Sequence, residues 1–159
     1  MKELLDKLSS YNLFNNFFPG VVFVIILGKF TQYDLIQKDL VTGVFFYYFI
    51  GLVIGRVGSV LIEPIFRFFI KYADYKDFIS ASKNDAKIDL LSEVNNMYRT
   101  IVATFFLLSV AKAYELLSIS YPSLSNTTSY ILIIFIIILF VASYVKQTKY
   151  VIQRVEKSK

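Results

Sequence analysis

From Leu40 to Ile62 the chain carries a single formal charge, Arg56. About 20 predominantly apolar residues are enough to cross the hydrocarbon core of a bilayer, and a charge at that depth costs at least a few kcal/mol unless it is paired or wetted. Small residues stand at Gly51, Gly55 and Ser59, a four-residue spacing that lines one helix face and admits a second backbone closely; Gly58 widens that face. Two ideal turns beyond Arg56, on the same side, comes Glu63, and Pro64 removes a backbone donor next to it, which predicts a kink or hinge at Glu63-Pro64.

The rest of the composition fits this setting. Of 159 residues, 56% are hydrophobic and mean hydropathy is +0.57, too apolar for an ordinary soluble domain of this length. With no cysteine and no histidine there is no disulfide framework, no thiolate, no imidazole base and none of the usual zinc or copper ligands. No nucleophile elbow, phosphate-binding glycine loop or paired-carboxylate signature occurs, so the expectation is a non-enzyme without catalytic residues, cofactor or metal. Small residues suited to leader cleavage do not follow the first apolar run, so Met1–Tyr11 is not read as a cleaved signal.

Periodicity then orders the chain. Leu4, Leu5 and Leu8 sit at helical spacing among charges and predict a short amphipathic helix on the membrane surface over Met1–Ser10. Apolar runs predict membrane spans over about 13–30, 40–66, 97–117 and 130–145. Asn15 and Asn16, ahead of Pro19-Gly20, suit helix capping. Ile65, Phe68, Phe69, Tyr72, Tyr75 and Ile79 continue the second run as an amphipathic stripe. Ile88, Leu91, Val94, Tyr98 and Ile101 form a second stripe leading into the third run, with a turn near Ser80–Asp85 between them. The fold class expected is therefore all-α: a single polytopic membrane domain of four transmembrane helices, with spans two and three extended into a cytoplasmic helical hairpin over about 67–96. A polar loop at Tyr121–Ser129 and a basic tail at 146–159 complete it.

Orientation follows from charge. With both termini inside, thirteen of the seventeen Lys and Arg residues are cytoplasmic, two from the N-terminus, six from Arg67 to Arg99 and five in the tail, while Lys29 and Lys38 are outside. This predicts a multi-pass protein of a cell inner membrane whose basic tail meets anionic lipid.

Four charges fall within spans two and three: Arg56, Glu63, Lys112 and Glu115. Counted from a boundary near Phe68 and Thr100, Arg56 and Lys112 lie at similar depth, about 18 Å in. Glu115 is placed to pair with Lys112 or with Arg56, and Glu63 to reach Arg99. Either these residues lock helix register, or they line a water-filled path. A lone chain has too few polar residues for a channel, but a symmetric homo-oligomer, a tetramer for instance, brings Arg56 and Lys112 around one axis. Such a cationic ring favours anion passage or holds the path shut until it is compensated. Gly51, Gly55 and Ser59, with Gly58, serve either contact between subunits or packing within one chain. On the cytoplasmic side Lys76, Lys83, Lys87, Asn95, Asn96 and Arg99, interleaved with tyrosines, are candidates for a phosphate- or base-binding face; positive-inside topology accounts for the same charges.

Three stretches carry a family resemblance: Tyr11 to Gly20; Gly55-Arg56-Val57-Gly58-Ser59 with Ile62-Glu63-Pro64; and Ala73-Asp74-Tyr75-Lys76-Asp77-Phe78. In these the chain resembles small bacterial membrane proteins found with anti-phage defence genes, in particular the membrane effector of Hailong-type systems, in which a nucleotidyltransferase makes a nucleic-acid messenger controlling a channel. The four-span sensor of Kiwa-type systems is the other family it is similar to. The first resemblance implies a homo-oligomeric channel, gated from the cytoplasmic side by a nucleotide or oligonucleotide, that depolarises the infected cell; it transfers no ligand residue. The alternative is a non-conducting sensor or scaffold that recruits a soluble defence partner through the hairpin.

Overall fold

The computed structural model describes residues 13–158 and is all-helical there; the amphipathic segment expected at Met1–Ser10 lies outside the described residues. We number the helices α1 (Phe18–Phe30, entered through a π-helical turn at Leu13–Phe17), α2 (Leu40–Phe66), α3 (Tyr75–Asn84), α4 (Lys87–Ser120) and α5 (Ser123–Ser158). Three of them, α2, α4 and α5, are long and apolar enough to cross a membrane, and Asn15–Phe30 is a shorter apolar helix. The core is thin: Ile54, Val57, Ile62, Ala103 and Leu139, drawn from α2, α4 and α5. The chain exposes 11601 Å², against roughly 8200 Å² for a compact soluble protein of this mass. Much of the excess is apolar, as on α5, where Ile131, Leu132, Ile133, Ile134, Ile137 and Ile138 all face outward. That surface is suited to lipid or to another copy of the chain.

Local chemistry explains how the helices start and bend. Asp39 caps α2, its Oδ1 accepting from Thr42 N at 2.8 Å and Thr42 Oγ1 at 2.7 Å. Both helix-embedded prolines, Pro19 and Pro64, lie two residues past a five-residue π turn, Leu13–Phe17 and Gly58–Ile62 respectively. The widened turn spreads the carbonyls that a proline ring strikes in a regular helix. α1 and α2 touch backbone to backbone: a Cβ on Gly51 would fall 1.5 Å from Asn16 O, and one on Gly20 1.9 Å from Tyr47 O.

The structure departs from the periodicity at three places. The second span's helix ends at Phe66, and residues 67–74 are turn, bend and irregular chain, so the amphipathic stripe does not continue as one arm. α3 is a separate short helix that runs on through Ser80–Asn84, where composition predicts a turn, so that the break comes only at Asp85-Ala86; it packs on α5 as well as on α4, with Tyr75 and Tyr150 rings 4.5 Å apart and Lys76 Nζ 3.2 Å from Glu156 Oε2. Third, the polar stretch after Pro122 is helical from Ser123, with the Ser125, Thr127 and Thr128 hydroxyls satisfied on carbonyls three or four residues back.

Candidate functional site

The polar centre of the molecule is Glu63, buried to 6% exposure. The π turn at Gly58–Ile62, closed by Glu63 N–H donating to Gly58 O, adds one residue to the helical turn and so rotates everything beyond it by about 100°. Glu63 thereby leaves the Arg56 face and turns toward α4 and α5. α4 comes close because Gly58 is small: a Cβ there would meet Arg99 Cγ and O at 3.4 Å and Ala103 Cβ at 3.5 Å. Three cations from three places in the chain converge as a result. Arg67 Nη2 donates to Glu63 Oε1 at 3.0 Å, while Oε2 accepts from Arg99 Nη1 at 2.6 Å and from Lys146 Nζ at 3.0 Å.

Lys146 spends its other donors on Ser59, on the carbonyl at 2.7 Å and the hydroxyl at 3.0 Å, which completes the three bonds an ammonium makes. Its charge also lies 5.9 Å from the Tyr150 ring, and Arg67 stands 5.0 Å over Tyr72. Thr100 and Thr104, buried beside Arg99 on α4, satisfy their hydroxyls on carbonyls of their own helix. Arg99 Nε is buried without an acceptor among the described residues. One carboxylate against three cations leaves this junction two positive charges in excess. We call this the basic end of the bundle.

Toward the opposite end, Glu115 is also buried at 6% exposure. Lys112 Nζ lies 2.5 Å from its Oε2, and its Oε1 accepts from Gln32 N at 2.7 Å, so α4 holds the connection between α1 and α2. Tyr33 and Ser118 hydroxyls meet at 3.4 Å beside it.

Arg56 stands apart from both centres. It is half-buried in the middle of α2 and makes no ion pair or hydrogen bond among the described residues. Neither Glu63, rotated away, nor Glu115, taken by Lys112, serves it. Of the small residues, Gly51 packs within the chain against Asn16, Ser59 receives Lys146, and Gly55 has nothing nearer a would-be Cβ than Asn16 Oδ1 at 3.9 Å.

The residues considered for a phosphate- or base-binding face lie on α3 and α4. Lys76 is paired with Glu156, Arg99 with Glu63, and Lys83, Lys87 and Asn95 are exposed on α3 and α4. Asn96 accepts the Thr100 hydroxyl on its carbonyl. Asn15 and Asn16, read as capping residues, lie inside the first π turn, where Asn15 is buried and Asn16 Nδ2 donates to Tyr48 OH at 3.4 Å. What the sequence missed is Lys146: it lies 83 residues from Glu63, and a tail lysine carries no local signal of a buried partner.

The chain matches no family model, and no similar protein was found among curated proteins or solved structures. Fold and site together define a class: an all-helical chain with three helices suited to a membrane and charged centres between them.

Proposed function

We propose that the chain is a four-span protein of a bacterial inner membrane, with Asn15–Phe30 as the additional span, both termini cytoplasmic, and the basic end facing the cytoplasm. It works as a homo-oligomeric channel effector, tetrameric in the simplest arrangement, whose ion path runs along the Arg56 face of α2. One observation carries this reading: Glu63, Lys112 and Glu115 are paired within the chain, whereas Arg56 has no partner among the described residues. An arginine left to lipid at this depth costs at least about 2.5 kcal/mol. A water-filled path between copies removes that cost.

The motif resemblance supplies the biological setting, anti-phage defence, and the trigger, a nucleotide or oligonucleotide acting at the cytoplasmic face. Gating runs through α3 and the chain at 67–74, which join the end of α2 to α5 by the Lys76–Glu156 pair and the Tyr75–Tyr150 contact. A ligand that prefers one arrangement of these contacts shifts the closed to open equilibrium by its differential affinity. Purified protein in liposomes, with ATP or single-stranded DNA oligomers on the basic side, tests it: ligand-dependent flux that changes in Arg56→Ala supports the channel.

A second reading, a non-conducting sensor or scaffold, is favoured by the exposed apolar side chains Leu90, Leu91, Val94 and Tyr98 beside Lys83 and Lys87 on α3 and α4. Such a surface suits a soluble defence partner. It predicts no flux under any ligand and partner binding that is indifferent to Arg56.

A further inference from the structure

The carboxylates within the apolar segments can be counted. Over residues 18–30, 40–66, 97–117 and 130–145 the sequence holds Glu63 and Glu115 and no other acid. Both are taken: Glu63 by Arg67, Arg99 and Lys146, and Glu115 by Lys112 and the Gln32 backbone. Histidine, the other side chain able to adjust its charge near neutrality, does not occur. Within these segments, therefore, a second copy of the chain brings no unused carboxylate to Arg56.

With the bilayer surface taken at the end of α2, Arg56 does not reach a headgroup on its own. Ten residues separate it from Phe66, the end of the helix, which is about 15 Å of helical rise and further than an arginine side chain extends. Around a symmetry axis the copies of Arg56 form a ring of fixed positive charge with no carboxylate between them. Lys112, expected level with Arg56, stands instead toward the opposite end, because Gly58 of α2 meets Arg99 and Ala103 of α4 and Lys112 is nine residues further along α4 than Ala103; paired with Glu115 at 2.5 Å, it adds no net charge to a path that passes it.

Resting on the channel reading above, we infer that the path is selective for small monovalent anions, chloride among them, and that Arg56 is the residue that sets the selectivity. The charge balancing the ring is supplied by the solution. Anions concentrate at the constriction and cations are repelled from it, as in pores lined by arginine or lysine.

The test is the reversal potential of the full-length protein in planar bilayers under a potassium chloride gradient, with ATP or single-stranded DNA oligomers on the basic side. Wild type is expected to favour chloride over potassium by about tenfold, Arg56→Lys to keep the preference, Arg56→Gln to bring it near unity, and Arg56→Glu to reverse it. Arg56→Lys, which keeps the charge, also controls for folding. Conductance that favours potassium, or a preference unmoved by Arg56→Gln, overturns the selectivity and leaves the channel reading standing. Silence to both ions under every ligand overturns the channel reading, and the selectivity with it.

Discussion

Lys146 Nζ, from α5, lies 3.0 Å from Glu63 Oε2, on α2, across 83 residues of sequence. That contact, with Arg99 on the same oxygen at 2.6 Å, ties three long helices at one level. The cluster depends on its one carboxylate, since removing Glu63 strands buried cations without a counter-charge.

Glu63→Gln is accordingly the most damaging single change at the junction. It leaves Arg67, Arg99 and Lys146 facing one another without a carboxylate, and we expect a loss of about 3 kcal/mol or more. Arg67 is half-exposed, so Arg67→Ala is expected to cost less than about 1 kcal/mol, with Lys146→Met in between. Unfolding in detergent ranks the three; an Arg67→Ala cost equal to that of Glu63→Gln contradicts the account.

The two glycines of the small-residue stripe separate sharply. A Cβ at Gly51 would lie 1.5 Å from Asn16 O, a backbone atom, whereas at Gly55 the nearest contact is 3.9 Å. Gly51→Ala is expected to destabilise by about 2 kcal/mol or more, since backbone has to move. Gly55→Ala is expected to leave stability unchanged or slightly raised, because alanine is the better helix former. Equal melting temperatures for the two variants would place the α1–α2 contact elsewhere.

The Asp39 cap makes stability respond to acid. Bonds from the Thr42 hydroxyl, first in weight, and the Thr42 N–H hold the Asp39 carboxyl below its ordinary value of 3.8. A depressed folded-state value means the contribution is present above the unfolded-state value and lost as pH falls through the folded one. Asp39→Ala should therefore lower stability near about pH 6 and matter progressively less below about pH 4. A mutational cost that stays constant down to about pH 2 would show that the charge is not involved.

Much of this was legible in the residues, and what was not has physical causes. Apolar run length marked α2, α4 and α5, and the i,i+3 spacing of Lys112 and Glu115 marked their pairing. Ideal periodicity put Glu63 on the Arg56 face; the π turn at Gly58–Ile62, one extra residue, moved it to the other cations. The stripe through Phe68 to Ile79 has helical spacing, yet the helix stops at Phe66 and resumes at Tyr75. Periodicity reports faces and not continuity. Ser123 to Ser129 read as a loop by composition, but short hydroxyl side chains can bond back to their own helix.

The chain has no cysteine, which makes a direct test of the Arg56 face possible. Arg56→Cys and Leu52→Cys, one turn apart on α2, are compared with Leu132→Cys on the outward face of α5 by reaction with a charged, water-soluble thiol reagent in proteoliposomes. The account predicts that the two α2 positions react readily and that Leu132→Cys is inert. If the α2 positions resist the aqueous reagent and instead react with a thiol probe dissolved in the lipid, Arg56 faces lipid and the ion path is not there.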